Sequence, residues 1–323
     1  MSKPLTNFSN GVASFGVPLL GNAKIVASPF GTTYFVNGSN TINANAYTSM
    51  AAGSDANDGL SPQTPFLTMG MAFTRIKSGD AINFIGKITE QLVTPANIFD
   101  VWINGCGNDP RHADSTPEGG KYATAQWSAT GLTAATANLR VIQQGWRFTN
   151  FLMTAVDTNA ACLELVRNAA AGDLERDASH ASVIGVRFSG AGVGIRCGVS
   201  GTFTEIPYNV KVINSQFDNM TYAIRGAIEA NQWEIRDNFF ASNTNQIIIP
   251  ARNFLIKGNS IGAFTAAASS GGIDLNGGAG SNQVTGNNLS GTYSIAGGYR
   301  VANANDNWYG NASSAGFTAS DPA

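Results

Sequence analysis

Apolar positions in the second half of the chain recur with one internal spacing. Val210-x-Val212-x-x-x-x-Phe217, followed by Ile224, is matched by Trp233-x-Ile235-x-x-x-x-Phe240, followed by Ile247. Ala181-x-Val183-x-x-x-x-Phe188 with Ile195 precedes them, and Phe254-x-Ile256-x-x-x-x-Ile261 follows, with Gln283, Val284 and Leu289 as a further copy. From Phe188 to Leu289 the equivalent positions lie 29, 23, 21 and 28 residues apart. A period of this size with irregular insertions predicts a solenoid, whose units bury their apolar residues only by stacking.

The stack specifies three ladders. Phe188, Phe217, Phe240, Ile261 and Leu289 form one, Val183, Val212, Ile235, Ile256 and Val284 a second, and Ile195, Ile224 and Ile247 a third. Turn positions align as well. Gly185, Asn214, Asp237, Gly258 and Gly286 share one register, and Asn238, Asn259 and Asn287 the next. Asn and Gly tolerate left-handed turns, and stacked Asn side chains can hydrogen-bond along the ladder. An antiparallel sandwich would show hairpin signals between paired runs instead.

The first half carries the same logic less regularly. Thr68 reads as an N-cap. Met69, Ala72, Phe73 and Ile76 at i, i+3, i+4 and i+7 predict a short helix over Met69–Lys77, stopped by Ser78-Gly79-Asp80. Ala81–Ile85, Ile88–Leu92 and Val101–Ile103 read as strands. A helix before the first rungs covers the open end of a solenoid core. Residues 107–135 read as an excursion from the coil, which resumes at Asn138–Val141. Gly145-Trp-Arg-Phe148 echoes Gly185-Val-Arg-Phe188, 40 residues on. Residues 1–30 read as an extended arm that orders on binding, 31–312 as the coil, and 313–323 as a tail. Phe8, Val12, Phe15, Val17, Leu19 and Leu20 are apolar contacts awaiting a partner, since a disordered tail is poor in such residues.

Charged residues are only 12% of the 323, about half the usual share, and 37 are glycine. The net charge of −2 comes with no basic block, so a nucleic-acid groove is not expected. No membrane span is expected. Met1–Leu20 lacks the continuous apolar core of a secretory signal. Cys106, Cys162 and Cys197 lack metal spacing and read as buried free thiols; His112 and His180 read as surface or turn residues.

Two resemblances follow. Gly53-Ser-Asp-x-Asn-Asp-Gly59, with Ser61, Pro65-Phe-x-Thr68 and the closing Asn307-Trp-Tyr-Gly310, resembles the motifs of right-handed parallel β-helix proteins of the pectate-lyase-like superfamily. This implies an all-β, single-stranded right-handed parallel β-helix with a short N-terminal capping helix and an extended N-terminal arm. Asn7-Phe-x-Asn-Gly-Val-x-Ser-Phe-Gly-Val-Pro18 resembles the opening of tailed-phage virion proteins, including head decoration (cement) proteins. It implies a particle-associated protein made in the host cytoplasm.

Candidate chemistry is sparse. Glycosidases need two carboxylates about 5–9.5 Å apart, and Asp218, Glu229, Glu234, Asp237 and Asp274 form no outward pair in this register. Glu234 is flanked at its register by Lys211 and Leu255, and Asp237 takes a turn position. Arg196 and Arg225 share a register and read as surface or inter-subunit residues. Asp55-x-Asn57-Asp58-Gly59 lacks the Glu that closes an EF-hand loop and reads as a turn. Tyr208, Tyr222, Tyr293 and Tyr299 are expected on a face that serves subunit packing. The expectation is therefore a non-enzymatic capsid decoration protein, without catalytic, cofactor or metal residues. It would bind the major capsid protein on the virion surface through its arm, as a homotrimer. The alternative is a tailspike or receptor-binding protein with polysaccharide-binding or depolymerase activity on a surface glycan, for which Asp218, Glu229 and Asp237 would be the first residues to mutate.

Overall fold

The computed structural model describes residues 12–14, 17–20, 26, 28, 31–44, 49–107, 125–134, 136–167, 177–198, 206–262, 271–290, 299–313 and 316–318. It is a parallel β-helix with three faces. The first face stacks Thr33–Asn37, the start of Ala81–Ile88, Trp102–Gly105, Arg147–Thr149, Ser182–Ile184, Lys211–Ile213, Glu234–Arg236, Leu255–Lys257, Gln283–Thr285 and Asn307–Tyr309. The second includes Ala125–Trp127, Leu152–Thr154, Arg187–Ser189, Gln216–Asp218, Phe239–Ala241, Ser260–Gly262 and Asn288–Ser290. The third is an eight-stranded sheet: Leu92–Val93, Ala137–Val141, Ala161–Leu165, Val193–Cys197, Tyr222–Gly226, Asn245–Ile248, Gly271–Asp274 and Tyr299–Arg300. Pairing between successive rungs is parallel on every face, and parallel crossovers of this kind are right-handed.

The ladders stand in the expected register. Phe188 pairs with Phe217, Phe217 with Phe240, Phe240 with Ile261, and Ile261 with Leu289. The Val183 and Ile195 ladders hold likewise. The phenyl rings of Phe188 and Phe217 stack at 4.7 Å and those of Phe217 and Phe240 at 4.8 Å, which is the strand spacing itself. Gly185, Asn214, Asp237, Gly258 and Gly286 all have φ between 49° and 65°, the left-handed bend between the first and second faces. Beside them Asn238, Asn259, Asn287 and Asn311 form a buried ladder. Each of the first three donates its backbone N–H and its side-chain amide to the Oδ1 of the next. The backbone groups that a bend would orphan are thereby satisfied.

The capping helix is Met69–Arg75, two residues shorter than expected; the Ile76 N–H bonds the Ala72 carbonyl as the chain becomes extended. Thr68 caps it by accepting from the Met71 N–H. The Glu90 carboxylate accepts from the Met69 and Gly70 N–H groups, so a negative charge sits at the positive end of the helix dipole. Met69, Ala72 and Phe73 close the core.

Several expectations need correction. Ile88–Leu92 is not a strand of its own: Ala81–Ile88 turns a corner at Gly86, where φ is 79°, and so belongs to two faces. The segment 107–135 does not leave the coil throughout, since Ala125–Trp127 is a rung of the second face with Trp127 fully buried. The echo between Gly145–Phe148 and Gly185–Phe188 is not a structural equivalence. Phe148 pairs with Val183 on the first face and Phe188 with Met153 on the second. Within the arm, Val12–Ser14 and Val17–Leu20 are extended strands that pair antiparallel as a two-stranded ribbon. Four of the expected contacts, Val12, Val17, Leu19 and Leu20, are in that ribbon; Phe8 and Phe15 lie outside the described residues. The end of the arm is fastened to the body. The Asn83 side chain accepts from the Val26 N–H and donates to its carbonyl, and Ser28 Oγ donates to the Gly79 carbonyl.

Candidate functional site

A parallel coil places one residue per rung at each outward position, so an outward column is a row of side chains about 4.8 Å apart. On the eight-stranded face one such column reads Val93, Arg140, Glu164, Arg196, Arg225, Ile248, Asp274, Arg300. Leu163 and Leu165, like Ile195 and Cys197, flank it as core residues, and the column points away from them. Four arginines stand against two carboxylates, an excess of two positive charges in a chain whose net charge is −2.

The column has two parts. In the first, Glu164 lies between two arginines, 2.9 Å from Arg196 Nε and 2.5 Å from Arg140 Nε. Arg196 also donates to the carbonyls of Ala134, Asn159 and Thr136. Glu164 and Arg196 are only 2% and 3% exposed. Arg196 is thus a buried lock rather than the surface residue expected from the sequence, because Glu164 on the preceding rung supplies its counter-charge. In the second part, Arg225 is half-buried with its guanidinium over the Tyr222 ring, 4.4 Å from the centroid. Ile248 and Asp274 are half-buried, and Arg300 is exposed, 3.3 Å from Asp274.

The other acidic candidates are engaged singly. Asp218 makes a two-pronged ion pair with Arg187 and accepts from Ser189 Oγ. Glu234 lies between Lys211 and Leu255 as expected, and pairs with Lys211 and Arg236; Asp237 pairs with Arg236. Glu229 accepts from the Ala279 N–H. Asp55 and Asp58 bond Leu67, Thr68, Leu60 and Thr64 within the entry turn, in keeping with the turn reading. Among the described residues no group of three or more His, Cys, Asp or Glu side chains could hold a metal ion.

The tyrosines do not share a face. Tyr299 is 3% exposed and packs edge-on against Trp308, because it continues the core position of Ile273. Tyr208 packs against His180 and Arg167, and Tyr293 is outside the described residues. His180 is a turn residue with φ 62°, as expected, and His112 is outside the described residues. The three cysteines are free and buried. Burial pushes the Cys162 and Cys197 thiols far above the usual range. No described helix is long and apolar enough to cross a membrane.

No family model matches the chain, and no curated protein does. Among solved structures, pectate lyase Pel9A is 13% identical over 91% of this chain and 80% of that one, with a TM-score of 0.46. A pectin methylesterase from Aspergillus niger is 12% identical over 89% and 86%, with a TM-score of 0.46. A rhamnogalacturonan lyase is 12% identical over 80% and 68%, with a TM-score of 0.44. The likeness is one of fold alone. The expectation of a chain without activity does not stand beside it, since the solved structures similar to the chain are mostly enzymes.

Proposed function

We propose that the chain is the β-helix of a phage-particle protein that engages surface polysaccharide, as tailspike and receptor-binding depolymerases do. An acidic glycan would lie along the accessible part of the arginine column, from Arg225 to Arg300. What supports the reading is the accessible part of that column, where Arg225 and Arg300 stand against a single carboxylate, Asp274, on an outward face of a chain that is net acidic. Guanidinium groups form forked hydrogen bonds to carboxylates, so two accessible arginines suit the acidic groups of an anionic sugar chain. The test is calorimetric titration with polyuronates and with neutral dextran, alongside an assay for released reducing ends. Salt-sensitive binding of the acidic polymer alone is expected, weakened at least tenfold by Arg225→Gln. Equal binding of both polymers, or of neither, would overturn the proposal.

The N-terminal segment favours a second reading, a head decoration protein. Its support is the resemblance at Asn7–Pro18 together with the fastening of Val26 to Asn83, which ties any arm contact to the body. Cryo-electron microscopy of particles distinguishes the two. Hundreds of copies over the head lattice support decoration, and a few copies at the tail tip rule it out.

A further inference from the structure

The open part of the arginine column is closed at one end. Glu164 and Arg196 are sealed by the turns at Ala134, Thr136 and Asn159, and Ala161 and Val193 beside them are fully buried. Four of the five Arg196 N–H groups are directed at Glu164 and these carbonyls. No ligand enters there. One rung on, Arg225 shares the Arg196 register, is half-buried, and has no carboxylate partner among the described residues. Its neighbours onward, Ile248, Asp274 and Arg300, are all accessible, and three rungs carry the strip about 14 Å from Arg225 to Arg300.

We propose that Tyr222 and Arg225 form the terminal position of this strip, so that the protein holds an acidic polysaccharide by a chain end rather than along its middle. The inference rests on the glycan-binding reading above. The Arg225 guanidinium carbon lies over the Tyr222 ring, 4.4 Å from its centroid, and a guanidinium held against a ring face keeps its edge N–H groups free to form a fork to one carboxylate. The Arg196 lock stands where the next sugar of a continuing chain would lie.

The test is the stoichiometry of binding to size-fractionated polyuronates, from short oligomers to long polymer, by calorimetry. End-holding gives one protein per chain at saturation whatever the chain length. Arg225→Gln is expected to weaken every length more than tenfold, and Arg300→Gln to weaken only chains long enough to reach it. A protein-to-chain ratio that grows in proportion to length overturns end-holding while leaving glycan binding intact. Absence of binding at every length overturns the glycan-binding reading and this inference with it.

Discussion

Replacing Asn259 by alanine isolates the asparagine ladder. Its Oδ1 accepts from the backbone N–H and the side-chain amide of Asn238, both at 3.0 Å. Its Nδ2 donates to the Ile235 carbonyl at 3.0 Å and to Asn287 Oδ1 at 2.9 Å. The residue is 1% exposed. Alanine therefore leaves the Asn238 N–H, one Asn238 amide proton and one acceptor site of Ile235 without a side-chain partner. Each buried orphan costs about 1–3 kcal/mol. The vacated space can admit a bridging water, which recovers part of the loss. We expect a destabilisation of about 3–5 kcal/mol, in the range of the largest single-residue effects. Guanidinium denaturation followed by circular dichroism measures it, with Asn288→Ala, an exposed neighbour, as control. Because a solenoid can unfold rung by rung, hydrogen exchange of the Asn238 amide provides a local reading. If Asn259→Ala falls within about 1 kcal/mol of the control and Asn238 keeps its protection, the ladder is not a stabilising element.

Other outcomes follow from the same structure. Glu164→Gln removes the counter-charge of buried Arg196, which should cost about 3–5 kcal/mol in thermal or chemical denaturation. Glu164→Leu combined with Arg196→Met removes both buried charges but takes the Arg196 donor from the Ala134, Thr136 and Asn159 carbonyls, so it should recover only part of that loss, and failure to recover any would refute the buried-pair account. Asn83→Ala releases the Val26 segment and removes one acceptor of Asn104 Nδ2, which donates to Asn83 Oδ1. A loss of about 1–3 kcal/mol is expected in chemical denaturation; an unchanged stability would count against the fastening. In the native protein none of the three cysteines should react with a thiol reagent on the timescale of minutes, and all three should after unfolding. Fast labelling of any one under native conditions would contradict the burial.

The coil was legible where one rung repeats the next. Phe217 and Phe240, or Val212 and Ile235, can be aligned by spacing alone because a parallel ladder puts like residues in contact. The bend residues were legible for the same reason, since a left-handed position admits Asn, Asp or Gly and little else. Legibility failed where insertions shift the phase. Trp127 stands in a Gly-, Ala- and Thr-rich stretch that hides a single three-residue strand. Glu164 comes before the regular repeats begin, so its place beside Arg196 needed the register of Ala161–Leu165 against Val193–Cys197. The likeness of Gly145–Phe148 to Gly185–Phe188 was one of residue types and not of face. Asn83 stands inside the expected Ala81–Ile85 strand, and only the fold brings Val26 across it.

The most direct test of the account is a structure of the protein with an acidic oligosaccharide bound. The account predicts density on the eight-stranded face, with a sugar carboxylate on the Arg225 guanidinium and the chain running towards Asp274 and Arg300. Density that crosses Arg196, or that lies on another face, would contradict it.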